Sequence, residues 1–332
     1  MPMATPFTSR GDIDIEASGR ITGYLVAGGA AVFALGTTGE GASVAPEARA
    51  QFIASVVQQN ACRAPVYAGV SDTCLSMSVE MAKRYADLGA DVAVAHLPSY
   101  YPLTDDDILA YCERLARRIP IPLMLYNIPV TTGMSISLDV LERLSHHPNI
   151  VGLKDSENDT KRLQQAIALW KDREDFAHLT GCGSLCALAL SMGSDGIVPG
   201  AANLAPTLFV DLYEAGANGR HEEASRLQVL ADAVADIFRK DRPLSRSLPI
   251  LKAIMHLLGF CQSDVVPPLR TLAPKQLREI DGKLSKLRIM LGEHGYALTA
   301  PAGTSSVRIR AVKGSGKDAK PRTDATSVGR DK

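Results

Sequence analysis

The sequence predicts an α/β protein, a closed (β/α)8 TIM barrel with a C-terminal helical extension. Three observations carry this prediction. Short β-rich apolar segments alternate with amphipathic helical segments through the first 200 residues, these apolar segments number eight, and each is nearly continuous in hydrophobicity. Continuous apolar strands separated by helices are typical of parallel sheets covered on both faces. Eight such units are the number found in a (β/α) barrel, which occupies roughly 200 to 250 residues.

Each predicted strand is a short, mostly apolar run. In chain order the predicted strands are Met3 to Thr5, Ala31 to Leu35, Val66 to Ala68, Val92 to Ala95, Leu123 to Tyr126, Ile150 to Lys154, Ala177 to Thr180 and Gly196 to Val198. An open doubly wound sheet is the competing arrangement, and it usually has a glycine-rich phosphate-binding turn after its first strand. Here Pro6-Phe7-Thr8-Ser9-Arg10 follows the first strand, so the closed barrel is favoured.

The segments between the strands have apolar residues at helical spacing. The predicted helices of the barrel include Pro46 to Gln59, Ser76 to Leu88, Asp105 to Arg118, Leu138 to Ser145 and Thr160 to Trp170. No strand is predicted after Pro206, where four further helices are expected: Pro206 to Ala215, His221 to Phe238, Leu248 to Leu258 and Pro274 to Leu291. We therefore expect the barrel to occupy residues 1–205 and the helical extension residues 206–298.

The composition changes after Gly295 to small, polar and basic residues. Residues 299–332 contain eight basic and three acidic side chains. Such a segment cannot bury enough apolar surface to offset its ordering entropy, so we expect a disordered basic tail. RNA binding through this tail is the weaker alternative, because no aromatic residue interrupts the basic ones.

The overall composition argues against several classes of protein. Hydrophobic residues make up 46% of the chain, and 36 basic residues balance 36 acidic ones, so bulk charge points to neither nucleic acid nor an acidic membrane surface. No apolar run approaches about 18 residues, and the first residues lack a basic region followed by an apolar one, as a signal peptide would have. Six scattered cysteines, without a CxxC pair, predict reduced thiols rather than disulfides or a metal site. We expect a cytoplasmic protein.

A lysine at the end of a buried strand is the first candidate functional residue. Ile150-Val151-Gly152-Leu153 predicts a buried strand that runs directly into Lys154. An ammonium buried there costs free energy unless it is paired or deprotonated. A desolvated lysine with a lowered pKa is a nucleophile that can form a Schiff base with a carbonyl compound. The alternative is a lysine whose ammonium simply reaches water at the strand's end.

Other predicted strand ends carry polar residues, and in a (β/α) barrel the reacting groups lie at these ends. The second strand ends in the turn Gly36-Thr37-Thr38-Gly39-Glu40, whose hydroxyls and amides suit a carboxylate, although its glycines can serve turn geometry alone. The fifth ends in Tyr126-Asn127-Ile128-Pro129, where the Tyr126 hydroxyl can shuttle a proton or be satisfied within the core. Tyr100 and Tyr101 follow the fourth strand.

Together these residues resemble a known family. The turn 36–40, the Tyr126-Asn127-Ile128-Pro129 motif and Gly152-Leu153-Lys154-Asp155 occur in the order found in the dihydrodipicolinate synthase / N-acetylneuraminate lyase superfamily of class I pyruvate aldolases. The interval of 28 residues from Tyr126 to Lys154 also suits that superfamily, and the resemblance covers roughly residues 3 to 295. It implies a barrel that needs no metal or dissociable cofactor and assembles as a homodimer or homotetramer.

The resemblance also implies a role for each residue. Lys154 would attack the keto carbon of pyruvate or another 2-keto acid, and Tyr126 would move protons during imine formation. Thr37 would link Tyr126 to Tyr100, whose counterpart in the family reaches into the site of a neighbouring subunit. The expected substrate-binding residues are Thr38, Gly39, Thr131, Ser156 and Val198.

The departures from the family pattern bear on the substrate. Dihydrodipicolinate synthases have an arginine shortly after the Tyr-Asn-x-Pro motif, where this chain has Thr131, and threonine offers no bidentate cation to a carboxylate. Asp155 and the small polar residues after Pro129 look more like 2-keto-3-deoxy sugar-acid aldolases. The polar side chains of Thr131, Thr132, Ser156 and Asn203 would suit a polyol tail.

We therefore expect an aldolase or lyase that cleaves or forms a 2-keto-3-deoxy sugar acid from pyruvate and an aldehyde, with no nucleic-acid or membrane partner. The alternatives are a 4-hydroxy-tetrahydrodipicolinate (dihydrodipicolinate) synthase, a Schiff-base dehydratase of deoxy sugar acids, and a non-catalytic barrel that binds 2-keto acids. The first strand begins nearly at Met1, whereas relatives usually have several more residues there. This predicts a shortened first strand or a misassigned start codon.

Overall fold

The strands of the protein form one parallel sheet. A computed structural model describes residues 1–298, and the predicted tail, residues 299–332, lies outside the described residues. The seven strands of the sheet are hydrogen-bonded in chain order. They are β1 (Val32–Ala34), β2 (Val66–Gly69), β3 (Val92–His96), β4 (Leu123–Asn127), β5 (Ile150–Asp155), β6 (Ala177–Thr180) and β7 (Gly196–Ile197).

Helices separate the strands, as the alternating pattern predicts. Those before β7 are α1 (Ile15–Ala27), α2 (Pro46–Asn60), α3 (Leu75–Asp87), α4 (Asp105–Ala116), α5 (Pro129–Thr132), α6 (Leu138–Leu144), α7 (Thr160–Trp170) and α8 (Cys186–Met192). Side-chain caps begin several of them: Asp14 caps α1, Thr104 forms a capping box with Asp107 on α4, and Asp159 caps α7. Gly41–Ser43, Gly183–Leu185 and Gly200–Asn203 are short 3-10 helices.

Four helices follow β7, in the part of the chain predicted as a helical extension. They are α9 (Pro206–Ala217), α10 (His221–Arg239), α11 (Leu244–Leu257) and α12 (Pro274–Glu293). Helix α9 packs against α8 and α10, and α10 also contacts α11 and α12. Within residues 1–298, no helix has both the length and the apolar content needed to cross a membrane.

Both faces of the sheet are apolar, which explains the nearly continuous hydrophobicity of the strands. One face packs against the helices through a large aliphatic core that includes Val32, Leu125 and Leu153. The opposite face carries a smaller cluster of Phe33, Val94, Met124, Tyr126, Ile128 and Val198. Because the strands are parallel, their carboxyl ends lie at one edge of the sheet, where Tyr126 pairs with Lys154 in the β4–β5 register.

The predicted first strand, Met3 to Thr5, is not a strand in the structure. A single parallel bridge joins Pro2 to Phe33, and the Met3 amide donates to the Phe33 carbonyl over 2.8 Å. Proline has no amide hydrogen, so Pro2 and Pro6 limit how far this ladder can extend. The described sheet therefore has seven strands, and no eighth strand closes it into a barrel.

Asn203 connects this N-terminal segment to the segment after β7. Its amide group donates to the Pro2 carbonyl over 2.7 Å, and its oxygen accepts from the Ala4 amide over 2.9 Å. Asn203 is completely buried, so the prediction that it contacts a polyol tail is wrong. Its hydrogen bonds hold the chain's beginning beside the end of the sheet.

Candidate active site

Lys154 is buried at the carboxyl end of β5 without an acidic partner. Only 4% of its surface is exposed. Its Nζ lies 3.9 Å from the centre of the Tyr126 ring and 4.7 Å from that of Phe33. Among the described residues, Lys154 forms no ion pair. Burial lowers the pKa of the Lys154 amine, and the nearby Tyr126 phenol opposes this only in part. The site therefore makes the neutral, nucleophilic amine easier to form than it is for a lysine in water.

Tyr126 and Thr37 place hydroxyl groups beside this amine. Tyr126 is 4% exposed, and its hydroxyl lies 3.3 Å from the Thr37 hydroxyl. Burial alone would raise the pKa of the Tyr126 phenol, but the Lys154 charge and the polar groups of Thr37, Ser156 and Lys154 outweigh it and lower that pKa. A phenol and an amine that both have lowered pKa values and lie side by side can exchange protons.

The turn after β1 brings Thr37 and Thr38 to the site but not Gly39. The Gly39 amide donates to the Gly36 carbonyl over 3.0 Å, and a Cβ at Gly39 would lie 2.9 Å from the Met3 carbonyl oxygen. Gly39 thus allows close packing of the turn against the N-terminal segment, rather than offering its amide to a carboxylate as predicted. In the described part of the chain, the amides of Thr37 and Thr38 have no backbone partner.

A cavity of about 740 Å³ opens above Lys154 at the carboxyl edge of the sheet. Five predicted site residues line it together with the lysine: Thr37, Thr38, Tyr126, Ser156 and Val198. Residues of α10 and the start of α11 also line the cavity, including Asp232, Arg239 and Leu244. The predicted constellation therefore lies around one space large enough for a small organic acid.

Besides Gly39, two more of the predicted residues, Tyr100 and Thr131, lie away from this cavity. Tyr100 is 77% exposed, and its ring packs edge-on against that of Tyr101 with centres 5.0 Å apart. Thr131 is exposed and lines a separate cavity of about 230 Å³ on the other side of Thr37. Pro129 begins the short helix α5, which turns the hydroxyls of Thr131 and Thr132 back onto the Ile128 carbonyl. Neither hydroxyl faces the Lys154 cavity.

Sequence reasoning missed Gly181, which makes room for the lysine. A Cβ at this position would lie 3.1 Å from Lys154 Cε and 2.0 Å from Ser156 Oγ, so any larger residue would displace one of them. Gly181 follows the end of β6, and its place at a strand end is the signal that could have identified it. Asn158, Cys182 and Ser184 also line the cavity, and the Cys182 thiol donates to the Asn158 side-chain oxygen over 3.3 Å.

Comparisons with known proteins agree with this geometry. The chain matches the model of the dihydrodipicolinate synthetase family over residues 1–287. It is 31% identical over 294 residues to a 4-hydroxy-tetrahydrodipicolinate synthase of Methanoculleus marisnigri, covering 88% of this chain and 97% of the relative. The structure is similar to a dihydrodipicolinate synthase of Bacteroides thetaiotaomicron, with a TM-score of 0.81, 32% identity, and coverage of 86% of this chain and 96% of that one.

A further similar structure is that of a dihydrodipicolinate synthase from Acinetobacter baumannii, solved in complex with pyruvate. Its TM-score is 0.79 at 26% identity, and the match covers 86% of this chain and 97% of that chain. The match to the family model spans the strands that carry Lys154 and Tyr126, since it covers residues 1–287.

Proposed function

The chain belongs to the dihydrodipicolinate synthetase family, and from that premise we propose that it cleaves or forms a 2-keto-3-deoxy sugar acid through an imine on Lys154. Membership makes the protein an enzyme, a class I carbon–carbon lyase. The substrate, the direction of the reaction and the roles of individual residues are our proposal. The observation that carries it is the buried, unpaired Lys154 amine facing a cavity beside Tyr126.

In the cleavage direction, the neutral Lys154 amine adds to the keto carbon of the substrate. The carbinolamine then loses water, with Tyr126 and Thr37 carrying the proton to the departing hydroxyl. The C4 hydroxyl then gives its proton to the Tyr126 phenolate, and the iminium accepts the electron pair of the C3–C4 bond as that bond breaks, which releases an aldehyde and leaves an enamine. Protonation of the enamine and hydrolysis of the imine release pyruvate and restore the lysine. Thr38 and the free amides of the turn would hold the substrate carboxylate.

The polarity of the cavity supports an uncharged substrate tail. The residues that line the cavity include Ser156, Asn158 and Ser184, which offer hydroxyl and amide groups. Apart from Lys154, the cationic side chains that line the cavity in the described residues are Arg239 and Lys240, at the end of α10 and just after it. Hydroxyls and amides pair with a polyol without leaving a buried charge unmatched. A semialdehyde carboxylate would lack a bidentate cation beside the lysine.

A dihydrodipicolinate synthase activity is the second candidate, favoured by the printed function of the relative from Methanoculleus marisnigri. This reaction joins pyruvate to aspartate semialdehyde, whose carboxylate needs a cationic partner. Thr131 stands where those enzymes have their arginine, so we expect weak synthase activity or none. Failure to complement a lysine auxotroph would agree with this expectation.

We also infer that the enzyme is a homodimer or homotetramer of closed (β/α)8 barrels. The bridge from Pro2 to Phe33 and the hydrogen bonds of Asn203 place residues 1–4 between β1 and the segment after β7, where an eighth strand would lie. Tyr100 and Tyr101 form an exposed aromatic pair that suits a subunit interface. In such an assembly Tyr100 would reach the Thr37 hydroxyl of a neighbouring subunit.

Borohydride reduction in the presence of pyruvate tests the chemistry. We expect a reduced pyruvyl adduct on Lys154, located by peptide mass spectrometry. Cleavage assays with 2-keto-3-deoxygluconate and 2-keto-3-deoxygalactonate, beside a synthase assay with aspartate semialdehyde, then test the substrate. The absence of an adduct on folded protein with excess pyruvate would contradict the Schiff-base role. An adduct with synthase activity alone would contradict only the sugar-acid assignment.

A further inference from the structure

A carboxylate in the middle of α10 lines the cavity above Lys154 and has no cationic partner. Asp232 is half-buried, and it takes part in no ion pair among residues 1–298. Burial raises the pKa of the Asp232 carboxyl, and the charge of Asp236, one turn further along α10, adds to this effect. A hydrogen bond from Gln228 opposes the rise only in part. The charge of Asp232 is therefore left without an opposite charge beside it.

Gln228, one turn earlier on α10, fixes the orientation of this carboxylate. Its Oε1 accepts from the Ala187 amide over 2.9 Å, in the first turn of α8, so its amide NH2 group points the other way. Nε2 donates to Asp232 Oδ1 over 2.8 Å and to the Gly183 carbonyl over 2.9 Å. Asp232 Oδ2 has no hydrogen-bond partner in the described part of the chain, and it is not enclosed. This second oxygen is free to accept from a ligand.

The loop after β6 connects this carboxylate to the proposed nucleophile. Gly181 lies against the lysine, since a Cβ there would be 3.1 Å from Lys154 Cε. Two residues later, Gly183 accepts from the same Gln228 nitrogen that holds Asp232. Consecutive Cα atoms are about 3.8 Å apart, so Gly181 and Gly183 are separated by about 7 Å at most. One short loop thus contacts Lys154 directly and Asp232 through Gln228.

Three other carboxylates that line the cavity differ from this one. Glu157 lies 3.3 Å from the guanidinium of Arg162, and Asp236 lies 3.9 Å from the ammonium of Lys240. Asp241, just after α10, is exposed to water. A paired or fully hydrated carboxylate gains less from a ligand than one that is partly buried and unpaired.

The chemistry of an unpaired carboxylate selects the ligand. An ionised carboxylate only accepts hydrogen bonds, so Asp232 suits a hydroxyl donor and opposes a second carboxylate. A hydrogen bond to a charged group is also shorter and stronger than one between neutral groups. The cavity of about 740 Å³ is lined by both Lys154 and Asp232, so one ligand can occupy the space between them.

Building on the proposed function, we propose that Asp232 is a specificity-determining residue that accepts hydrogen bonds from the hydroxyls at the far end of the sugar-acid tail. The substrate class then narrows to 2-keto-3-deoxy aldonic acids, whose tail ends in a hydroxyl. Arg239 and Lys240 also line the cavity, at the end of α10 and just after it. If these cations held the tail instead, an acid with a second carboxylate at C6 would be the better ligand.

Competition with pyruvate for Lys154 tests this inference without requiring turnover. The whole protein is incubated with isotopically labelled pyruvate and either 2-keto-3-deoxygluconate or the corresponding acid with a carboxylate at C6. Borohydride reduction and mass spectrometry then quantify the labelled adduct. In the wild type, 2-keto-3-deoxygluconate should compete better. Asp232→Ala should raise its inhibition constant about tenfold, and Asp232→Asn should lower that of the dicarboxylic acid about fivefold.

Asp236→Asn is the matched control, because it makes the same change one turn further along α10, on an exposed carboxylate that is paired with Lys240. It should leave both inhibition constants at their wild-type values. Pyruvate alone has no tail, so its trapping shows that each variant is folded.

Unchanged competition in both Asp232 variants, or a wild type that prefers the dicarboxylic acid, would overturn the inference and leave the Schiff-base chemistry intact. A wild type that traps pyruvate but is competed by neither acid would contradict the proposed substrate class itself, and this inference with it.

Discussion

Lys154 at the end of β5 and Lys252 in the middle of α11 are both almost fully buried, with 4% and 1% of their surfaces exposed. Their surroundings differ. Lys252 Nζ lies 2.9 Å from Glu40 Oε1 and also donates to the Thr5 and Asp264 carbonyls. Lys154 has aromatic rings and hydroxyl groups around it, and no carboxylate partner among the described residues.

The difference shows that burial alone does not make a lysine reactive. A buried ammonium that has an anionic partner and two carbonyls is satisfied and serves structure. The partner Glu40 also accepts from the Val266 amide over 3.0 Å, so this ion pair joins the turn bearing Thr37 to the C-terminal helices. A buried amine without such partners loses its proton more readily and becomes a nucleophile.

The largest expected effect is on the unpaired lysine. Lys154→Ala should abolish turnover and pyruvate trapping, a loss of about 10⁴-fold or more, because it removes the amine that forms the proposed imine. The same variant should fold with little loss of stability, since it removes a buried amine that no ion pair holds. Steady-state kinetics and urea unfolding measure the two results. Residual imine formation in Lys154→Ala would mean that another amine is the nucleophile.

A smaller loss of turnover is expected when the hydroxyl of Tyr126 is removed. Tyr126 lies beside Lys154, whereas the carboxylate of Glu40 lies beside Lys252. Tyr126→Phe keeps the ring against the lysine but removes the proton shuttle, so kcat should fall by about 10²- to 10⁴-fold. Binding of pyruvate should change less than kcat, because the carboxylate contacts from the Thr37–Thr38 turn remain. Single-turnover trapping separates the two effects. Wild-type turnover in Tyr126→Phe would remove Tyr126 from the mechanism.

The sequence predicted one of these lysines and not the other. Lys154 and Tyr126 could be predicted because both end strands of a parallel sheet, where the fold alone brings side chains to one edge. Lys252 lies within a helix, and its partner Glu40 is 212 residues away in the chain. No local pattern marks such a pair, since only the packing of α11 against the turn after β1 creates it.

The same distinction explains the other failures of prediction. Gly39 and Asn203 are in segments that the motifs identified, but both face the N-terminal segment, which lies far from them in sequence. The resemblance predicts Thr131 and Thr132 near the substrate, because they follow the Tyr126-Asn127-Ile128-Pro129 motif where related enzymes have an arginine. The four-residue helix α5 turns their hydroxyls toward the Ile128 carbonyl instead. The alternation of apolar strands with helical segments makes the strand ends predictable from the sequence. The direction of a side chain within a turn depends instead on the tertiary contacts of that turn.

Removing Lys252, the lysine paired with Glu40, should lower the free energy of unfolding more than it lowers catalytic activity. Lys252→Met leaves the Glu40 carboxylate buried without its cation, at a cost of about 3 kcal/mol in the free energy of unfolding. Glu40→Gln/Lys252→Met removes both charges and should recover much of that loss. Urea unfolding of the single and double variants checks this. Equal losses in both would mean that the ion pair contributes nothing beyond the packing of its side chains.

The smallest expected effect is a difference in how stability depends on pH. Burial lowers the pKa of Lys154 in the folded protein below that of an unfolded lysine, so between those two values the unfolded chain binds more protons. Stability of the wild type should therefore rise with pH across that interval relative to Lys154→Met, which has no amine to titrate. Below the folded pKa the wild type bears the full cost of burying the charge, and above the unfolded pKa it bears none.

Urea unfolding of the wild type and Lys154→Met across the alkaline range measures this difference, with the exposed Lys171→Met as the matched control. We expect the gap between wild type and Lys154→Met to change with pH, by at most about 1.4 kcal/mol per unit, and the gap for Lys171→Met to stay constant. Imine formation should follow the same amine, rising up to tenfold per pH unit until Lys154 is neutral. If neither the stability gap nor the rate of imine formation changes with pH, burial does not lower the pKa of Lys154. The difference between Lys154 and Lys252 would then be one of structure and not of reactivity.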